Sequence, residues 1–277
     1  THNESFEQVR QKVWDMQKTV GPFRIAAVFV ETPANPTNVL FDLSICKRLR
    51  DNFNSTLVVD NTFLGPLFQK PLVHGADLVV YSCTKYIAGH STAMAGACLG
   101  RKSLIENIRK IRGTIGDMLD PDTASSLLNS LETLKIRMEA QTKNAEQIAR
   151  FLVRHKKVAQ VYYPGFSPVG PESNRQYLIY RAQCTGRGAL ISFDIKGNKK
   201  AAFRFLNAIA ATGIIKLAVS LGSTESLAQH PASMTHAGMD AATKSRLGIT
   251  DSMIRLSVGL ENVADLTFIL NEALKKV

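Results

Sequence analysis

A lysine at the end of an apolar run is the residue of this 277-residue sequence with the clearest capacity for chemistry. Lys85 follows the apolar residues 78–81 and has hydroxyl side chains close by, at Ser82 and Thr84. Most lysines lie on the solvated surface, because a buried ammonium loses its hydration. A lysine in partly apolar surroundings has a lowered pKa, so its amine can act as a nucleophile and form a Schiff base. The neighbouring hydroxyls predict a phosphate site beside that amine.

An aspartate, Asp60, ends the preceding apolar run, residues 56–59. Its separation from Lys85 is close to the length of one strand, crossover and parallel strand. Because open α/β sheets bind ligands at the carboxyl ends of their strands, we expect both side chains at one sheet edge. A carboxylate there can pair with a protonated pyridine nitrogen, and the combination describes pyridoxal phosphate. Without Lys85 and its hydroxyls, Asp60 would be interpreted as a turn former.

The elements that must position these residues alternate between strand and helix. We predict strands at residues 25–30, 56–59, 78–81, 95–99, 158–163, 189–195, 214–220 and 253–257, and helices at residues 40–53, 102–111, 199–211 and 263–275. Asp120 and Pro121 are typical of a helix start and open one long, unbroken helical pattern toward Arg154. Such a helix suits a bridge between domains, so we predict a large domain over 1–136 and a small domain over 137–277.

Composition bounds the class of protein. With 45% hydrophobic residues the chain can bury a large core, and its length favours about two domains. It has neither an apolar run long enough to span a membrane nor a signal-peptide pattern, which predicts a soluble, cytoplasmic protein with no membrane partner.

The charge and the candidate metal ligands are less informative. The net charge of +11 is spread over short basic clusters without interleaved aromatics, so we interpret them as solvated helix faces and predict no nucleic-acid partner. The four cysteines lack metal-type pairing, and only Cys83 lies next to the predicted site. His90, His230 and His236 are too far apart to form a local ligand motif, so we predict no metal site.

Five segments, residues 31–38, 59–63, 82–91, 220–227 and 254–261, run in order along nearly the whole chain and resemble the cysteine/methionine-metabolism family of pyridoxal-phosphate (PLP) enzymes. The resemblance implies an α/β fold of the aspartate-aminotransferase type (fold type I). In that fold a mostly parallel sheet forms the large domain, and a smaller α/β domain follows at the C-terminus. It also implies a carbon–sulfur lyase of the trans-sulfuration group with PLP as cofactor.

The same resemblance assigns roles to individual residues. It implies that Lys85 binds the cofactor covalently and is the catalytic base, and that Asp60 holds the ring nitrogen. Ser82 and Thr84 would contact the phosphate, and Asn35 would contact the ring oxygen. On spacing alone Asn35 would be only a turn residue. The resemblance also implies three substrate-binding residues. They are Arg255, which would bind the α-carboxylate, Ser220 beside it, and Val219. On spacing alone Arg255 would equally suit a salt bridge.

Val219 bears on the choice of substrate. Cystathionine-processing members of the family usually carry glutamate here, where a carboxylate can meet the distal amino group of cystathionine. Valine matches methionine γ-lyases, as does the run 226–236. The resemblance therefore favours γ-elimination of methionine to methanethiol, 2-oxobutanoate and ammonia. The alternatives are cystathionine γ-lyase, a γ-replacement enzyme such as cystathionine γ-synthase or O-acetylhomoserine sulfhydrylase, and a non-catalytic basic binding protein. Val219 could also be an ordinary strand residue facing the core.

The sequence departs from the family pattern in two places. The family's earlier Gly-Met phosphate-binding turn, the tyrosine stacked over the cofactor, and the tyrosine and arginine that reach a neighbouring subunit have no counterpart here. Residues 1–136 would then be the remainder of the large domain. Thr92 also stands where the family usually has aspartate. Because the phosphate contact comes from a neighbour, the resemblance implies a homo-oligomer, a tetramer built as a dimer of dimers, that acts on a small sulfur amino acid.

Overall fold

The computed structural model describes residues 4–166 and 174–277. The helices in these residues are α1 (Phe6–Val20), α2 (Leu43–Phe53), α3 (Gly65–Phe68), α4 (Lys102–Ile115), α5 (Pro121–Glu132), α6 (Leu134–Arg154), α7 (Arg175–Gln183), α8 (Lys199–Ala210), α9 (Ala241–Arg246) and α10 (Val263–Lys275). The strands are β1 (Ala27–Glu31), β2 (Thr56–Asp60), β3 (Leu78–Ser82), β4 (Gly96–Gly100), β5 (Val158–Tyr162), β6 (Leu190–Ile195), β7 (Lys216–Leu217), β8 (Leu227–Gln229) and β9 (Met253–Ser257). None of these helices has the length and apolarity that crossing a membrane requires.

The first sheet has the order β1-β2-β3-β4 and is mostly parallel, as predicted. Strands β1, β2 and β3 run parallel, and β4 returns antiparallel to β3. In this register Glu31 lies opposite Asp60. The carboxyl ends of the three parallel strands therefore meet at one edge, where Asp60 and Lys85 were expected.

The second sheet has the order β5-β6-β9-β8-β7. Every residue of β6 and β9 is buried, so these strands form its centre. The predicted strand over 214–220 is wrong, because β7 is confined to Lys216–Leu217. After one further ladder bond, from Ala218 N to Ala228 O, the chain leaves the sheet. Ser220 bonds instead to side chains of the candidate site.

The long helix predicted from Asp120 is also interrupted. Its start is confirmed, since Asp120 Oδ1 accepts a hydrogen bond from Thr123 N at 2.8 Å. The helix ends at Glu132, however, and α6 begins at Leu134, so that Thr133 separates the two. The Thr133 hydroxyl bonds to the Ser130 carbonyl and accepts from Arg137 Nε, local bonds that compete with a continuous helix. The predicted domain boundary near Arg137 falls within α6 and stays a prediction.

Several elements were not predicted. Helix α1 buries no residue but begins with a capping box between Ser5 and Gln8, a signal that the sequence does carry. Helix α7 lacks a periodic apolar face, and β8 has only three residues. Helix α2 starts at Leu43 rather than at residue 40, because Asp42 caps it. Short or unpatterned elements of this kind depend on tertiary contacts that a sequence pattern does not reveal.

The core beneath the second sheet gives a test of the fold. Phe205 of α8 is fully buried and meets Phe193 of β6 edge to face, with ring centroids 5.7 Å apart. We expect Phe205→Ala to lower the free energy of unfolding by about 3–5 kcal/mol, because it leaves a cavity. The control Phe268→Ala, at a side chain 65% exposed, should change it by less than about 0.5 kcal/mol. Chemical denaturation measures both, and similar losses would contradict this packing.

Candidate active site

The carboxyl edge of the first sheet brings Asp60 and the Lys85 turn together. Asp60 ends β2, and Lys85 follows β3 after a two-residue turn. Asp60 Oδ1 accepts from Thr62 N at 2.9 Å, and Thr62 Oγ1 accepts from Ser82 N at 2.9 Å. These bonds tie the loop after β2 to the end of β3. The acid and the amine are therefore carried by neighbouring, mutually fixed strand ends.

The Lys85 amine points to the loop that follows β7 of the second sheet. Its Nζ donates to Ser220 Oγ at 3.2 Å. The pKa of Lys85 lies below its ordinary value, first because burial penalises the ammonium and second because the charge of Arg255 is near. A lowered pKa makes the neutral, nucleophilic amine more accessible at physiological pH.

Arg255 is 2% exposed and lies on β9. Its Nη1 donates to Asn35 Oδ1 at 2.9 Å, and its Nη2 donates to the Ser220 carbonyl at 2.9 Å. With the Gln229 amide assigned in the orientation that gives both of its ends a partner, its oxygen accepts from Nε at 3.1 Å. These acceptors are all neutral, and burial lowers the pKa of Arg255 to about 10. A buried guanidinium held by neutral groups is suited to bind a carboxylate.

A second carboxyl group stands beside Asp60. Glu31 is opposite Asp60 in the β1–β2 ladder, and its Oε1 accepts from Asn35 N at 3.1 Å. Burial, followed by the charge of Asp60, raises the pKa of Glu31 to about 7. Two like charges this close cannot both form without cost. At neutral pH the Glu31 carboxyl group is therefore only partly ionised.

Sequence reasoning missed Glu31 and Gln229. Glu31 was within a family-like segment, yet only the parallel register of β1 and β2 places it beside Asp60. Gln229 faces Arg255 because the two are register partners in β8 and β9. Gln229 lies in the family-like run 226–236, but strand β8 was not predicted, so the sequence gave no register for this pair.

The predicted phosphate-binding hydroxyls differ in their surroundings. Thr84 Oγ1 accepts from Ala95 N at 3.0 Å and so fastens the chain entering β4 to the Lys85 turn. Ser82 uses its backbone N–H in the bond to Thr62, and it is partly exposed. Between them Cys83 is buried, and burial raises its thiol pKa. That shift disfavours the reactive thiolate.

Val219 and Thr92 lie on the surface of the described chain. The side chain of Val219 is 57% exposed, so the interpretation that it faces the core is wrong. It directly precedes Ser220, which contacts both Lys85 and Arg255. Thr92 is also exposed and follows the turn that carries the lysine.

The histidines make protein contacts. His90 Nδ1 is 2.6 Å from the Ala88 carbonyl, and the ring nitrogens of His230 are within 2.9 Å of Ser233 Oγ and the Asp251 carbonyl. Burial and the charge of Arg255 lower the pKa of His236. Among residues 4–166 and 174–277, no group of three or more histidine, cysteine or acidic side chains is arranged to hold a metal ion.

Comparison with known proteins gives relatives of several related activities. The chain is 43% identical over 253 residues to an L-methionine gamma-lyase of Fusobacterium nucleatum subsp. polymorphum, covering 90% of this chain and 62% of the relative. It is 40% identical over 250 residues to an L-methionine gamma-lyase of Pseudomonas putida, covering 90% and 61%. A cystathionine gamma-lyase of Bacillus subtilis is 37% identical over 264 residues, covering 95% and 67%. The chain thus spans about three fifths of the first relatives' length.

Solved structures agree with these relatives. The cystathionine gamma-lyase of Lactobacillus plantarum complexed with L-serine superposes with a TM-score of 0.83 at 34% identity, covering 91% of this chain and 64% of that one. This likeness confirms the predicted α/β fold of the aspartate-aminotransferase type. The model of the family described as Cys/Met metabolism PLP-dependent enzyme matches residues 5–275. The chain therefore belongs to the Cys/Met-metabolism family of PLP-dependent enzymes.

Proposed function

We propose that the complete protein is a PLP-dependent lyase that eliminates the γ-substituent of a sulfur amino acid, with methionine as the preferred substrate. Its products are methanethiol, 2-oxobutanoate and ammonia. One observation carries the proposal: Ser220 joins the Lys85 amine, at 3.2 Å from its hydroxyl, to the Arg255 guanidinium, at 2.9 Å from its carbonyl. A base and a carboxylate-binding group separated by one residue can flank the α-carbon of a single amino acid.

The residues fit the cofactor that the family uses. When bound, PLP supplies an aldehyde that condenses with amines and a ring that withdraws electrons from the substrate's α-carbon. The partly buried Lys85 amine suits the aldehyde, and the Asp60 carboxylate at the neighbouring strand end suits the ring nitrogen. The Ser82 hydroxyl, with Thr84 beside it, suits the phosphate end.

Substrate binding and proton transfer are carried out by side chains of this chain. Arg255 binds the substrate's α-carboxylate, and Asn35, Gln229 and the Ser220 carbonyl fix the plane of its guanidinium. Lys85 accepts the α-proton at Nζ, which its lowered pKa makes available. The Ser220 hydroxyl holds that amine in place. The raised pKa of Glu31 leaves that carboxyl group partly protonated near neutral pH, which lessens like-charge repulsion beside Asp60, the residue proposed for the ring nitrogen.

The preference for methionine rests on Val219. Its exposed, apolar side chain lies directly before Ser220, where it can line the substrate's γ end. A thioether methyl gains from such a surface, whereas the distal amino group of cystathionine is left without a partner. The relatives named L-methionine gamma-lyase support the same choice.

The homo-oligomer, a dimer of dimers, stays a prediction for the complete protein. Its support is the phosphate end, where the predicted contacts, Ser82 and Thr84, are uncharged hydroxyls. A phosphate dianion calls for charged donors as well. A neighbouring subunit would supply them.

The first test concerns the covalent link. After incubation of the complete protein with PLP and reduction with borohydride, we expect a pyridoxyl label on Lys85, located by peptide mass spectrometry. Lys85→Ala should lose that label because the linkage needs its amine, and Lys102→Ala, at a side chain 91% exposed, should keep it. A wild-type label on another lysine would show the assignment to be wrong.

The second test concerns the substrate. We expect the complete protein to have a higher kcat/KM for methionine than for cystathionine. Val219→Glu should shift that ratio toward cystathionine by about tenfold, the equivalent of one new charged hydrogen bond. Val219→Leu, which stays apolar, should leave the ratio nearly unchanged. A wild-type preference for cystathionine would overturn the proposal.

The third test concerns the protonated carboxyl group. Because the pKa of Glu31 in the folded protein is raised from 4.5 to about 7, the folded state holds an extra proton between these pH values. The free energy of unfolding should therefore fall by about 1–3 kcal/mol as pH rises through this window, relative to Glu31→Gln. Glu272→Gln keeps Glu31 and should follow the wild-type course through this window, since a hydrogen bond from exposed Lys275 lowers the pKa of Glu272. Denaturation at a series of pH values measures it, and parallel wild-type and Glu31→Gln curves would contradict the assignment.

A further inference from the structure

Arg137 contacts the backbone directly behind the lysine. It lies in the first turn of α6 and is 4% exposed. Its Nη1 donates to the Tyr86 carbonyl at 2.8 Å, and its Nη2 donates to the Ile87 carbonyl at 3.2 Å. The same guanidinium bonds to the Ser130 carbonyl at 2.8 Å and to Thr133 Oγ1 at 3.1 Å. One side chain thus joins the α5–α6 junction to the two residues that follow Lys85.

None of these four partners carries a negative charge. Burying a guanidinium away from an acid is costly, and burial lowers the pKa of Arg137. An apolar side chain would avoid that cost but would leave the carbonyls without donors. The arrangement is therefore suited to holding backbone carbonyls rather than to forming an ion pair.

The Lys85 turn needs such donors. It is a single helical turn, closed by bonds from Ala88 N to the Cys83 carbonyl at 2.8 Å and from Gly89 N to the Lys85 carbonyl at 2.8 Å. The turn stops there, so the carbonyls of Tyr86 and Ile87 have no further turn to bond with. Arg137 supplies the missing donors, as a cap does at the end of a longer helix.

The backbone around this cap is closely fitted. Gly89 has φ +72°, and a Cβ there would be 2.0 Å from Arg137 Nη1. On the other side of the turn, a Cβ on Gly222 would be 2.7 Å from Tyr86 N. Thr224 N donates to the Gly89 carbonyl at 2.9 Å. The turn is therefore held between Arg137 and the loop that carries Ser220.

We propose that Arg137 is a positioning residue for Lys85: by capping the Tyr86 and Ile87 carbonyls it fixes the turn and holds the amine against Ser220. The inference rests on the proposed function, because it concerns the lysine that would link to the cofactor. Arg137 itself contacts neither the amine nor Ser220 through any of its four bonds. Its effect on the chemistry is transmitted by the backbone.

The test uses Arg137→Met and Arg137→Lys in the complete protein loaded with PLP. We expect Arg137→Met to shift the pH titration of the bound cofactor's visible absorption by about half a unit or more, because Lys85 changes its surroundings. The kcat should fall about 10- to 100-fold with little change in KM. Arg137→Lys, which can reach one carbonyl but not both, should give a smaller shift in the same direction.

The control is a variant that loses stability elsewhere. Asp194 of β6 is buried and accepts hydrogen bonds from Tyr162 and Thr250. Asp194→Ala should lower the melting temperature without moving the cofactor titration. If Arg137→Met does not fold, Thr133→Val removes the Nε acceptor, together with the Thr133 bond to the Ser130 carbonyl, and should produce a smaller shift of the same sign.

The outcomes separate the two proposals. Pyridoxyl label on Lys85 of the wild type with an unchanged titration in the Arg137 and Thr133 variants would overturn the positioning role alone. A titration shift in Asp194→Ala equal to that in Arg137→Met would also overturn it, since the effect would then follow stability. Absence of label on Lys85 in the wild type would instead overturn the proposed function.

Discussion

The burial of Arg255 among neutral acceptors is the constraint on which the rest of the site depends. A guanidinium at 2% exposure must have its donors satisfied, and here the acceptors come from distant parts of the chain: Asn35 after β1, the Ser220 carbonyl after β7, and Gln229 on β8. Each element must reach the same point. The two sheets therefore meet where the charge lies, and the Lys85 amine is bonded to the same loop.

A second buried arginine, Arg137, lies behind the Lys85 turn and is also held by neutral acceptors. In the proposed function Arg255 binds the carboxylate of the substrate, whereas Arg137 is directed at backbone carbonyls. Both are held by neutral groups, but their partners differ in kind. The partners of Arg255 are mostly side chains that a ligand could compete with, while the carbonyls bound by Arg137 belong to a turn that no ligand needs to displace.

What the sequence predicts follows from local patterns. The β-branched runs before Asp60 and Lys85 predicted β2 and β3, and the parallel crossover between them predicted a shared edge. The pairs Glu31 with Asp60 and Gln229 with Arg255 depend on strand register, which a single sequence does not state. The break at Thr133 and the early end of β7 were missed for a related reason. At Thr133 side-chain hydrogen bonds compete with continued helix, and beyond β7 Ser220 bonds to Lys85 rather than to a neighbouring strand.

The exposure of Val219 has a consequence for how such a protein can diversify. Its side chain is 57% exposed and follows the last ladder bond of its strand, so a new side chain there would disturb little packing. Three residues away, Gly222 lies against the Lys85 backbone so closely that no side chain fits. A position that tolerates substitution and a position that does not are thus three residues apart in one loop. Related proteins can therefore exchange the residue that we propose selects the substrate while the backbone behind the amine stays the same, with little loss of stability.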